Sequence, residues 1–402
     1  MKHTSTLPAM FLSVILCLSL LGCGKQPTIS GDWVPAAQQK GCFSDTGYYF
    51  LSAEGLLHYT DLSSGTTVSL CPKVGCSHED PETCEGHIGG SGRNMYFWND
   101  GLYYLGNDVY GTHLYRRNAD GTALSKVLTL CEDYMEELGQ VNVVIQFSVA
   151  VDGLLYYEAE LSSFADSGSE LAAEDVASVI RRIDLRAGKE ETLLEDKESN
   201  LQLLCARTDG FLYSSAKQLH LKDYPTQEDY FAESGKQACR FYQWSAETNQ
   251  STLLFEKTVS EGSPHQNQLG GNKILCSNSA FENDVLTYTY YTYDLSTGEY
   301  IQMYHGLIDI LIAGRYRYSR ASMGQRSEWV LEDLESGKQL PCVQFYDGNC
   351  FIRLQCVSAK GTVLTRASKD GGERIYFYIP TEALADGLQL EDCLDFYTEN
   401  AG

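Results

Sequence analysis

The sequence has no apolar run long enough to cross a membrane, no long stretch with a helical period, few basic residues and none of the common catalytic signatures. A membrane span needs about 20 predominantly apolar residues, and the apolar run at residues 7–21 is too short for one. Without a 3.6-residue period no helix can bury a stripe, which argues against a helical bundle. Basic residues number 30 against 54 acidic ones, a net charge of −24. That surface repels phosphate backbones and anionic headgroups, so nucleic acid is rejected as a partner, while cations, basic proteins and neutral sugars are favoured. There is no Gly-x-Ser-x-Gly, no His-Glu-x-x-His, no phosphate-binding loop and no dinucleotide fingerprint. His58, His113, His220, His265 and His305 occur singly, and 54 acids offer too many carboxylate pairs to choose among.

What is present is aromatic and glycine-rich: 27 Tyr, 15 Phe and 36 Gly against only 9 Pro, in short apolar runs that read as strands. The stretch Tyr293-Asp294-Leu295-Ser296-Thr297-Gly298 reads as a strand entering a tight hairpin. Its Asp can accept from its own backbone, and its Gly supplies the positive φ of a short turn. Versions recur at 59–65, 183–188 and 332–337, with weaker relatives at 115–121 and 242–249. A second signal alternates with it, a Gly followed by paired aromatic or aliphatic residues, as in Gly47-Tyr48-Tyr49-Phe50, Gly101-Leu102-Tyr103-Tyr104, Gly153-Leu154-Leu155-Tyr156-Tyr157 and Gly210-Phe211-Leu212-Tyr213. Together they spell a four-stranded antiparallel sheet, repeated in series.

The hairpins fall near residues 65, 121, 188, 249, 298 and 337, about 54 residues apart on average. Common propeller repeats take roughly 40 to 50, and insertions account for the excess. The expectation is an all-β chain forming a β-propeller of seven blades, with six or eight as the neighbouring counts and a pair of β-sandwiches as the rival architecture. On these repeats the region 41–402 resembles the TolB-like and quinoprotein-like propellers. That resemblance implies architecture and leaves the chemistry open, since such folds host scaffolds, hydrolases, lyases and dehydrogenases.

At the N-terminus a weakly basic head, Met1-Lys2-His3, precedes the short apolar core and then Leu20-Leu21-Gly22-Cys23. This resembles the lipobox of bacterial lipoproteins. The resemblance implies a signal peptide at 1–22 and a diacylglyceryl anchor on Cys23, placing the domain outside the cytoplasm on the outer face of the cell membrane; the alternative is an ordinary signal peptide with an incidental Cys. Residues 23–40 contain Pro27, Gly31 and Pro35 without periodicity and read as the lipidated Cys followed by a flexible tether.

One segment, 71–87, concentrates soft ligands: Cys71, Cys76, His78 and Cys84, spaced C-x4-C-x-H-x5-C, with His87 as a spare. Three thiolates and an imidazole suit a tetrahedral zinc ion, and a closed four-ligand shell is structural rather than catalytic. Disulfides are the competing reading, with one thiol pairing to a distant partner such as Cys42, and inert thiols are the third. Cys17 leaves with the signal and Cys23 is lipidated, so 12 of 14 cysteines remain, an even number that permits full pairing without requiring it. The loop resembles a cysteine cluster of tethered propeller proteins of Gram-positive bacteria, a likeness that supplies no mechanism.

If the aromatic signal is the second strand of each blade and the Asp-Gly hairpin follows the third, blade-to-blade loops and the loops joining second to third strands share one face. The Cys/His segment and the insertions at 131–140, 161–177, 217–237 and 257–271 fall on it. Long loops on a rigid scaffold are where binding usually occurs. The expected function is a non-enzymatic scaffold for a protein, peptide or glycan; the alternative is an extracellular carbohydrate-active or other hydrolytic propeller using carboxylates as acid and base.

Overall fold

A computed structural model describes residues 33–36 and 40–400, apart from 89–92, 109–110, 133–139, 167–170, 221–222, 260–262, 271–272, 283–284, 296, 307–309, 314–315, 324–325, 334–335, 343–349, 359 and 369–371. Seven four-stranded antiparallel sheets form a ring, each built from consecutive strands, so the protein is a seven-bladed β-propeller. Blade 1 comprises β2 (Gly41–Phe43), β3 (Gly47–Leu51), β4 (Leu57–Asp61) and β5 (Thr66–Ser69). Blades 2 to 7 span 93–132, 140–196, 199–258, 263–306, 310–340 and 350–400. The first strands of neighbouring blades lie against one another around the axis, and later strands step outward.

The hairpin chemistry read from the sequence is visible atom by atom. Asp61 accepts from the backbone N–H of Ser63 (2.8 Å) and Ser64 (3.1 Å), and Gly65, at φ 70°, donates back to the Asp61 carbonyl (2.8 Å). Asp184 with Gly188 and Asp294 with Gly298 repeat the device. These turns close third strands onto outer ones. The aromatic signal is the second strand. Tyr48, Tyr49 and Phe50 are all buried, as are Tyr156 and Tyr157, because a second strand is covered on both faces by neighbouring blades. Burial on both faces removes the polar alternation of a half-exposed strand.

Among the described residues no strand is exchanged between the first and last blades: β2 to β5 come wholly from the N-terminal side and blade 7 wholly from 350–400. Side chains close the ring there instead. Tyr48, Phe50, Cys356, Val363, Tyr376, Tyr378 and Phe396 form one buried cluster, and the Thr67 hydroxyl donates to the Phe396 carbonyl (2.9 Å).

Four expectations need correction. Residues 161–166 and 171–177 are not loop: they lengthen the second and third strands of blade 3, Leu154–Asp166 and Leu171–Asp184. Likewise 263–270 is the first strand of blade 5. The insertion at 217–237 holds a helix, Gln227–Lys236, which the lack of an apolar stripe concealed; the Thr226 side chain caps it by accepting from the Asp229 N–H. Among the described residues no helix is long and apolar enough to cross a membrane. The segment read as a tether is also partly structured. Val34 and Pro35 form β1 (Val34–Pro35), which pairs antiparallel with the inner strand of blade 4 and makes that sheet five-stranded. Cys23, the signal segment and residues 24–32 lie outside the described residues.

Candidate metal centre

The segment 70–88 joins blade 1 to blade 2 and is pinned at both ends. Leu70 donates its N–H to Leu57 (2.8 Å), Leu57 to Gly86 (2.9 Å) and Ile88 to Gly55 (2.9 Å), while Leu70 and Ile88 are buried with Leu57 and Met95. These bonds set the segment beside the turn between β3 and β4, on the face expected from the strand order. Between the anchors there is little apolar side chain to bury, so local polar bonds shape the loop. Asp80 accepts from the Glu82 N–H (3.0 Å) and the Thr83 hydroxyl (2.9 Å), and its carbonyl accepts from the Cys84 N–H (3.0 Å). Lys73 reaches across to the Thr83 carbonyl (3.3 Å). Gly86 permits the closest approach: a Cβ there would lie 2.9 Å from Leu56 and 3.1 Å from the Cys71 Cβ.

Within this frame Cys71, Cys76, His78 and Cys84 converge. Their ligand atoms all lie within 4.8 Å of one another, and the His78 Nδ1 is 3.4 Å from the Cys84 Sγ. Metal–sulfur bonds of about 2.3 Å and metal–nitrogen bonds near 2.0 Å imply tetrahedral ligand separations of about 3.5 Å, so a small contraction would complete a shell. The four residues therefore make a group that could hold a metal ion. Cys71, Cys76 and Cys84 stand as free thiols in this structure. Cys42 is buried in blade 1, in the same apolar cluster as Leu70, and burial raises its thiol pKa well above the usual range. Burial raises the pKa of the Cys71 thiol, but the Lys73 N–H and the neighbouring Cys84 and Cys76 thiols outweigh it and hold Cys71 below the usual thiol range. Cys84 is raised, chiefly by burial. One thiol poised to ionise among partners that bond its anion is the arrangement a soft cation exploits.

His87 is not a spare ligand. Its Nδ1 lies 3.2 Å from the Glu54 carbonyl and its Nε2 3.2 Å from the His78 carbonyl, so the ring sits between two acceptors, and its neutral form donates its one N–H to either, bracing the ligand turn. Behind the loop His58 stacks between Phe50 (5.1 Å) and Tyr397 (4.7 Å). Burial, then His78 and His87, push its pKa down to about 4, and its Nε2 has no hydrogen-bond partner among the described residues. Sequence reading missed the bracing by Asp80, although Asp80-x-x-Thr83 is a recognisable side-chain turn signal. Cys205 and Cys276 are fully buried between blades 4 and 5.

Glu195, Asp196 and Glu198 lie at the junction of blades 3 and 4, while Asp133, Glu136, Glu137 and Glu170 lie outside the described residues. Tyr224 and Tyr230 meet edge to face at 5.7 Å within the blade 4 insertion. Beside them a cavity of about 230 Å³ opens between the helix and blade 4, lined by Gln202, Ser214, Lys217, Tyr230 and Ser234 among others.

No protein-family model matches the sequence, and neither does any curated protein. Solved structures share its general shape. An oligogalacturonate lyase in complex with manganese aligns over 88% of this chain and 92% of its own at 12% identity, with a TM-score of 0.46. TolB from Acinetobacter baumannii aligns over 83% and 78% at 14% identity and a TM-score of 0.33. The β-propeller domain of the Trilobed protease from Pyrococcus furiosus aligns over 72% and 80% at 10% identity and 0.40. The chain spans only 41% of a prolyl endopeptidase chain and 44% of a Pyrococcus horikoshii acylaminoacyl peptidase chain that it resembles. At these identities the likeness concerns fold alone.

Proposed function

We propose that this chain is an anchored extracytoplasmic propeller that acts as a non-enzymatic binding scaffold, and that a zinc ion held by Cys71, Cys76, His78 and Cys84 staples its loop face. The observation that carries the reading is the convergence of those four side chains in a segment pinned at both ends and too polar to pack itself. A closed Cys3His shell leaves no open position, so the ion would order the loop rather than activate water. The ordered loop shares its face with the helix insertion, giving a rigid platform for a protein, peptide or glycan. Its charge disfavours nucleic acid. The anchor, by its resemblance to a lipobox, is a diacylglyceryl group on Cys23.

The test is metal content and a free-thiol count on residues 24–402 purified without added metal or chelator. About one zinc per chain, abolished by Cys76→Ser with His78→Ala, is expected. No metal with few reactive thiols would end the reading. A hydrolytic propeller would need two carboxyl groups facing each other at roughly 5 to 9.5 Å.

A further inference from the structure

β1 fixes the direction in which the chain enters the ring. Val34 pairs with Ala206 and Pro35 with Cys205 on the inner strand of blade 4, and the Ala36 N–H donates to the Leu204 carbonyl (2.9 Å). Leu204 is the extra residue where that strand shifts register against its neighbour, which turns its carbonyl to the inner edge. Trp33 is buried under the Arg207 guanidinium, 4.5 Å from the ring centroid, and Ala36 is buried among blade 3 and blade 4 side chains. β1 also touches the first strands of blades 3 and 5, so it lies inside the ring. The inner strand of blade 4, Ser199–Arg207, runs from the loop face toward the face of short hairpin turns. β1, antiparallel to it, runs the other way, and Lys40, whose carbonyl accepts from Leu51 at the loop end of β3, completes the crossing.

We infer that the N-terminal chain threads the propeller from the hairpin-turn face, so that an anchor on Cys23 holds the Cys/His loop face away from the membrane and presents it to a soluble or cell-external partner. This rests on the anchored reading of Cys23. Reach decides it. Residues 24–32 span at most about 30 Å when fully extended. The nine-residue inner strand of blade 4 alone is about 30 Å tall. To turn the loop face onto the membrane, the tether would have to run from the axis to the rim and then climb that whole height. It is too short to do both.

Two measurements on the full chain test the proposal. Pro35→Cys should form a disulfide with the native Cys205 under mild oxidation, since directly paired strand residues lie within disulfide reach; a Cys205→Ala control should remove it. The lipidated protein, reconstituted in phosphatidylcholine vesicles carrying a headgroup quencher, is then labelled through a clickable amino acid at Ala187, in a hairpin turn of blade 3, or at the fully exposed Val74 in the Cys/His loop. Severalfold stronger quenching at position 187 than at 74 is expected. Equal quenching, or stronger quenching at 74, overturns the inference. Failure of the protein to float with vesicles, unchanged by Cys23→Ala, overturns the anchored reading and the orientation with it, whereas flotation without the cross-link from position 35 to Cys205 overturns the threading alone.

Discussion

Replacing Glu158 by Gln should flatten the pH dependence of stability over a defined window. Glu158 lies on the second strand of blade 3 and is 6% exposed; its carboxylate takes the Leu203 N–H of blade 4 at 2.7 Å. Burial pushes its pKa up to about 8 from an ordinary value of 4.5, the Leu203 N–H works against that shift, and the nearby Glu160 carboxylate adds to it. The folded state thus holds this proton more tightly than the unfolded chain does. Between pH 4.5 and 8 unfolding releases it, so stability falls as pH rises through that window. At about 1.36 kcal/mol per unit, the gap corresponds to roughly 5 kcal/mol across the window, most of it already lost by about pH 7. Glu158→Gln keeps an acceptor for Leu203 and cannot ionise. Urea midpoints measured from about pH 5 to 8 should therefore converge at the acid end and diverge in the variant's favour by about 3 kcal/mol or more near neutrality. Contributions from the other acids cancel in the comparison. Parallel curves for the two proteins would mean that Glu158 is solvated or ionised in the fold, and the reasoning would fail.

Three further outcomes follow from the same geometry. Phe50→Ala empties the centre of the seam between blades 1 and 7, where Phe50 meets Tyr48, His58, Tyr376, Phe396 and Tyr397; a loss of about 3 to 5 kcal/mol in denaturant unfolding is expected, and under about 1 kcal/mol would show that the ring is closed elsewhere. Gly337 sits at φ 67°, and a Cβ placed there would meet nothing within 4 Å, so Gly337→Ala should cost only the backbone term of about 1 to 2 kcal/mol, and a neutral result would refute a strained turn. His58, with its pKa depressed to about 4, favours folding fully above 6.5 and loses that contribution as pH falls toward 4; His58→Phe should retain more stability at about pH 5 relative to pH 7 than the native protein does, as read by thermal melts at the two pH values.

The blades were legible because their determinants are local. An Asp that bonds the next two N–H groups and a Gly four residues on make a hairpin whatever surrounds them, and paired aromatics announce a strand that is buried on both faces. The ligand group was legible for the same reason, since Cys71 to Cys84 span only fourteen residues of chain. The helix at Gln227–Lys236 had its signal in Thr226-x-x-Asp229, but no apolar stripe beside it. Other features depend on residues far apart in sequence. His87 is a brace because Glu54 and His78 present carbonyls to it, and spacing alone made it look like a ligand. Val34 and Pro35 read as tether because two residues carry no period; they are a strand because blade 4, far later in the chain, leaves an inner edge of unpaired backbone groups for them to satisfy. Sequence by itself determined the repeat, the turns and the donor set, all set by short-range chemistry. Only the closed ring decided where Val34 and Pro35 pair and which residues brace the ligand turn, because those follow from where distant strands meet.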